Sequence, residues 1–252
     1  SGLSRFMSPT NIGLLILGGI GIMSVTAYII QMYENRKKAR QLRLMHLQSA
    51  IRRAHHLLSN YPPLLQSPDI IKFLTVYLAQ RCQAALELEE SETMSKVLNE
   101  ANERAQSSLE TPPHPEGSIT LFDSPNGAQR ARAIIKEFVK FLKEIEAKGE
   151  ISSTVSQPMI QQAKNCFERT EVDLELLDAM TTEEVNDGKR SFSTYKKCFI
   201  RLSELNKNHL LDRQLFELRN RMTTIAAYIE QRTEEERQRR LKEEEEQNKF
   251  GF

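Results

Sequence analysis

The chain has no tryptophan, and its aromatic residues amount to only 7%. That poverty argues against a β fold wrapped around a ligand and suits helices packed through aliphatic side chains. Cysteine is scarce as well. Cys82, Cys166 and Cys198 are far apart, odd in number and never in a CxxC pair. This pattern excludes a disulfide framework and fits small core residues in a reducing compartment. Neither sign of charge is in excess, with 35 basic residues against 34 acidic. The one dense basic cluster directly follows an apolar run and has no aromatics woven through it, so nucleic acid is not an expected partner.

Recognisable catalytic and cofactor patterns are also missing. There is no GxxxxGK[ST] phosphate loop, and the only glycine-rich stretch, Gly18-Gly19-Ile20-Gly21, lies inside an apolar run where it cannot cradle a nucleotide. His55 and His56 are adjacent, so on a helix they diverge by about 100° and cannot form an i, i+4 metal pair. His46, His114 and His209 have no cysteine or carboxylate at ligand spacing, and no serine sits in a GxSxG context. Paired acids such as Glu183-Glu184 fall in a polar helical stretch. The expectation is a protein without catalytic activity, metal or cofactor.

What is present begins with a long uncharged run. Between Arg5 and Glu34 lie 28 residues without a charge. Its centre, from Ile12 to Tyr33, matches the roughly 20 apolar residues that carry a helix across about 30 Å of hydrocarbon. Ile12, Leu15, Leu17, Ile20, Ile22, Val25, Ile29 and Ile30 form the expected anchor, and Tyr28 and Tyr33 are placed for an interface. Only Ser24, Thr26 and Gln31 interrupt it, far short of the polar stripe of a soluble core helix. Arg36, Lys37, Lys38, Arg40 and Arg43 follow at once, opposed only by Glu34, whereas the other flank carries Arg5 alone. The positive-inside rule then leaves the amino terminus outside and about 220 residues in the cytoplasm, with the basic cluster also in reach of lipid headgroups. A cleaved signal peptide fits less well, because the run is long and the charge lies on the wrong side of it. Met7 is the expected native start, with the six residues before it an addition. Gly18, Gly21 and Ser24 share a face that could admit a neighbouring helix, although glycine is common in membrane helices regardless.

Beyond the cluster, apolar residues recur at helical spacing. Leu44, Leu47, Ile51, Ala54 and Leu58 predict a helix that could continue the spanning one, as ordinary bundle packing rather than a coiled coil. Pro62 and Pro63 break it. Ser67 before Pro68 reads as the start of the next helix, which continues through Ile71, Leu74, Leu78, Cys82, Ala85 and Leu88. A more polar third helix is expected from Glu92 to Leu109. Residues 111–127 hold four prolines and two glycines and read as a linker, with Ile119, Leu121 and Phe122 as its anchors to neighbouring structure. Ala131, Ile134, Phe138, Phe141 and Ile145 predict the next helix, with Gly149 at its end. Ser156 and Pro158 read as the start of a long helix through Cys166, Phe167, Leu174 and Leu177. After a turn at 185–190 come one more helix and then the regular stripe Leu211, Leu215, Leu218, Met222, Ile225 and Ile229. From Glu230 onward almost nothing is apolar, as in a solvated charged helix or tail.

The segment NDGKRSFSTYKKCFIRLSEL resembles the turn and second helix of a tetratricopeptide (TPR) repeat. In that family small, aromatic and small residues stand in register to let helix pairs approach, and here Ser191, Tyr195 and Cys198 occupy those places. The preceding LELLDAMTTEEVNDG would be the first helix, although it lacks the family's tryptophan-leucine-glycine signature. The resemblance covers about 35 residues, one repeat in length. It implies stacked helical hairpins and protein-protein recognition. A fainter internal echo relates QRCQAALELEES at residue 80 to ERTEVDLELLDA at residue 168.

Together these features predict an all-α protein: an N-terminal transmembrane helix followed by a cytoplasmic helical-hairpin, TPR-like body. Residues 1–11 are expected outside and 12–33 in the membrane. Residues 34–110 would form a juxtamembrane helix and first helical unit, 111–127 a linker, 128–229 a second helical unit, and 230–252 a charged helix or tail. The expected role is a membrane-tethered scaffold for unidentified protein partners. The alternative is a structural subunit of a larger membrane assembly, such as a secretion, pilus, motility or respiratory complex, in which span and body are surfaces for homo-oligomerisation. Membrane lipids are the other expected partner. A compact chain without low-complexity tails favours the bacterial inner membrane.

Overall fold

The computed structural model describes residues 8–107, 111–185 and 188–250. Arg5, Met7 and Leu109, and the Asn186-Asp187 part of the expected turn, lie outside them. Among the described residues there are seven α-helices, one short 3-10 turn and no strand. The helices are α1 (Pro9–Asn60), α2 (Pro68–Leu88), α3 (Glu92–Gln106), α4 (Pro125–Ala147), α5 (Ser153–Val185), α6 (Lys189–Leu205) and α7 (Asp212–Phe250).

Helix α1 runs unbroken for 52 residues, about 78 Å at 1.5 Å per residue. Ser8 opens it, its hydroxyl and carbonyl both accepting from the Asn11 amide, and Pro9 follows where no amide donor is needed. Gly13, Gly18, Gly19 and Gly21 leave the helix continuous. Pro62 and Pro63 end it, and the 3-10 turn Pro63–Leu65 leads into α2.

The chain divides into two compact units. One comprises residues 1–55 and 75–106, the other residues 56–74 and 107–252. In the first, Leu47, Ile51 and Ala54 of α1 and Leu78, Cys82 and Ala85 of α2 are buried, while α3 buries only Ala101. Ser91 caps α3, its hydroxyl accepting from the Met94 amide.

In the second unit α4 packs on α5, α5 on α6 and α6 on α7. Short connections force this consecutive pairing. Helix α4 starts at Pro125, with the Ser124 hydroxyl accepting from the Gly127 amide. It ends in a Schellman turn: Gly149 has φ +72°, its amide donates to Glu146 and the Glu150 amide donates to Ile145. Helix α5 begins at Ser153 rather than near Ser156, because the Ser152 carbonyl already accepts from the Val155 and Ser156 amides. Ser156 is instead buried and ties α5 to α4 through the Glu146 carboxylate. Pro158 lies inside the helix.

The core of this unit joins Val172, Leu176 and Ala179 of α5 to Tyr195, Cys198 and Leu202 of α6. Leu218 and Ile225 of α7, Leu211 just before it, and Ile119 from the loop between α3 and α4 complete it. Tyr61 stacks edge-on against Phe138 with ring centroids 5.6 Å apart. Its phenol is buried and finds no hydrogen-bond partner among the described residues, and burial pushes its pKa above the ordinary range.

Candidate functional site

Two regions carry the residues singled out from the sequence. The first is the N-terminal half of α1. Ile12, Leu15, Leu17, Ile20, Ile22, Val25, Ile29 and Ile30 are all exposed, Leu17 to 68% and Ile22 to 70%. This helix is long and apolar enough to cross a membrane, and none of its apolar window is buried inside the protein. A soluble core helix of that composition would be covered. Thr26 returns its hydroxyl to the Ile22 carbonyl at 2.7 Å, which satisfies its donor within the helix. Arg36, Lys37, Lys38, Arg40 and Arg43 continue the same helix and are all exposed. From Glu34 to His46 only Leu44 is even half-buried, and the first buried residue is Leu47.

The second region is the α5–α6–α7 layer. Ser191, Tyr195 and Cys198 lie on one face of α6, four and three residues apart, and all are buried. The Ser191 hydroxyl donates to the Ala179 carbonyl at 2.8 Å, possible only because so small a side chain lets α6 approach the α5 backbone. The Tyr195 hydroxyl donates to Glu183 at 2.7 Å, and Arg221 of α7 donates to both oxygens of the same carboxylate. Glu183 therefore joins three helices. The Cys198 thiol faces Glu175 at 3.8 Å, and burial first, then that carboxylate, push it up to about 12. Burial likewise raises Cys166 to about 11. Burial thus favours the thiol over the thiolate at both positions. On the rim, Arg201 pairs with Glu175 at 2.6 Å and Glu171 at 3.2 Å.

Next to these lies a polar latch that periodicity did not reveal. Asp173 of α5 is fully buried, and its two oxygens accept from the backbone amides of Leu121 at 2.6 Å and Phe122 at 3.0 Å. Gln214 of α7 donates to the Ile119 carbonyl at 3.0 Å, while its own oxygen accepts from Arg169 at 3.0 and 3.1 Å. Burial pushes the Asp173 carboxyl up to about 6, against the downward pull of the two amides and of Arg169. Nearby, His114 shares a 2.6 Å contact with the Ser118 carbonyl, so its Nε2 carries the hydrogen. The segment between α3 and α4 is thus clamped at three of four successive residues, Ile119, Leu121 and Phe122. Ile119 and Leu121 bury their side chains, as expected of loop anchors, while the backbone is held by α5 and α7.

His56 meets Glu137 at 3.5 Å and its ring also contacts Asn60. Among the described residues no three His, Cys, Asp or Glu side chains gather as metal ligands would. Comparisons with protein-family models, with curated proteins and with solved structures find no match to this chain.

Proposed function

We propose that this protein is a single-pass membrane scaffold, its amino terminus outside and its helical body in the cytoplasm, where the body engages a protein partner. One observation carries the reading: an exposed apolar run of membrane-spanning length passes, within one continuous helix, into a basic flank and then into a buried face. Exposed apolar surface of that extent has to be covered, and lipid covers a single helix without any protein partner. The basic flank orients it with residues from 34 onward in the cytoplasm, and the bacterial inner membrane is the setting we favour. Asp173, Glu183, Ser191 and Gln214 are engaged in holding the helices and loop of the second unit together, which suits a surface that displays helices to a partner. The TPR-like pattern at Ser191, Tyr195 and Cys198 supports helix-hairpin recognition of a partner, with α6, α7 and their neighbours as the region that receives it.

The test is membrane extraction and topology in one preparation. The full chain, with a protease-cleavable tag at its C-terminus, is expected to resist alkaline carbonate. The tag is expected to be cut only when protease reaches the cytoplasmic side. Release by carbonate would end the anchoring reading, and cleavage from the outer side would reverse the orientation. Mass measurement of the protein extracted in gentle detergent then separates roles. A monomer or dimer with substoichiometric companions fits the scaffold, while a large particle of fixed stoichiometry would make it a structural subunit instead.

A further inference from the structure

The five basic residues after the span are not equivalent. Taking 100° per residue, Arg36, Arg40 and Arg43 fall within about 60° of arc on α1, while Lys37 and Lys38 point elsewhere and Glu34 lies on the far side. Leu47, Ile51, Ala54 and Leu58 continue that same arc, and all four are buried. One face of α1 therefore changes from arginine to core between Arg43 and Leu47. Up to Arg43 it is exposed, and none of the ion pairs among the described residues involves these arginines.

Helix direction decides where the three guanidinium groups reach. Side chains on a helix tilt toward its N-terminus, which in α1 is the apolar run. Measured along the helix from Tyr33, Arg36, Arg40 and Arg43 stand about 4.5, 10 and 15 Å farther on. The headgroup layer is only about 5–7 Å deep on each side of the hydrocarbon. With the hydrocarbon ending at Tyr33, as the spanning reading has it, Arg36 falls within that layer, and the helix tilt directs the long side chains of Arg40 and Arg43 back toward it. Arginine, unlike lysine, presents a planar fork that binds phosphate through two parallel hydrogen bonds.

We propose that the Arg36–Arg40–Arg43 stripe is a binding site for the phosphate of an anionic phospholipid, held between the bilayer surface and the buried part of α1. This rests on the spanning reading and assigns a ligand to the helix where it leaves the bilayer. Lys37 and Lys38 contribute to orientation and lie outside the site.

The full chain is reconstituted in phosphatidylcholine bilayers, and the fractions of spin-labelled phosphatidylglycerol and phosphatidylcholine immobilised by it are compared. The wild type is expected to select phosphatidylglycerol. Substituting R36Q, R40Q and R43Q together is expected to reduce that selectivity by about fivefold or more. The charge-conserving set R36K, R40K and R43K should lower it by about twofold. K37Q with K38Q should lower it less than either. Equal selectivity in the wild type and the lysine set would overturn the proposal in favour of diffuse charge. So would a larger loss from the K37Q and K38Q pair, or abolition of selectivity by soluble glycerol phosphate in excess. Wild type that washes out of the bilayer in alkali would overturn the spanning reading as well. Wild type that stays but shows no lipid preference would overturn the site alone.

Discussion

Asp173 shows how one side chain can govern a loop distant in sequence. Its carboxylate accepts from two consecutive backbone amides, so removing it strands two buried donors at once. Asp173→Ala is expected to cost about 2–4 kcal/mol in urea unfolding of the full chain followed by circular dichroism, and a loss below about 1 kcal/mol would show the latch to be idle. The pH dependence has a definite sign. Burial raises this carboxyl from its ordinary 3.8 to about 6, so between those values the folded protein holds the proton more tightly than the unfolded chain does. Its contribution to stability is therefore full below about pH 4 and declines as pH rises to about 6. The stability gap between wild type and Asp173→Asn should narrow across that window by about 2–3 kcal/mol, and a gap that widens would reverse the assignment.

Among the elements, α6 depends most on a single backbone position. Gly188 stands at its start with φ +77°, and a Cβ there would lie 3.1 Å from Cγ2 of Ile225 on α7. The left-handed backbone and the close approach act together, since the turn must bring α6 onto the core that Ile225 completes. Gly188→Ala is expected to destabilise by about 1–3 kcal/mol, read as a lowered thermal midpoint. Gly117 and Gly149 also have positive φ, but nothing stands within 4 Å of a Cβ at either. Gly149→Ala should therefore cost only the backbone part, and an equal loss at both positions would remove Ile225 from the explanation.

At the scale of the whole molecule, local periodicity made the helices legible and little else. All-helical architecture, the unbroken passage from the apolar run into the next stripe, and the Gly149 turn each follow from residues within a few positions of one another. Faces were harder to read. On α4 the stripe was expected at Ile134, yet Ile135 is fully buried and Ile134 only partly. On α5 the buried face runs through Val172, Leu176 and Ala179, while Leu174 and Leu177 are half-covered, because α5 packs against both α4 and α6 and has no single apolar side. Short polar residues fared unevenly. Ser67 stands directly before Pro68, where α2 begins, and its carbonyl accepts from the Ile71 amide, although its hydroxyl goes to Gln162. Ser156 misled, because its hydroxyl goes to Glu146, a tertiary partner that a capping rule cannot anticipate. The latch was invisible altogether, since Asp173 lies about 50 residues from its amides and Gln214 lies 95 from Ile119.

The unbroken α1 has a mechanical corollary. A tether with a flexible joint at the bilayer would be judged by its length, but a rod is judged by its phase. Inserting residues between Arg43 and Leu47 turns the buried face against the anchored end by about 100° each, so two added residues put the faces out of step while seven restore them almost completely. Partner recovery from membranes should therefore follow the period of the helix, lost with two inserted alanines and regained with seven. A steady decline with insert length would mean that the connection behaves as a string.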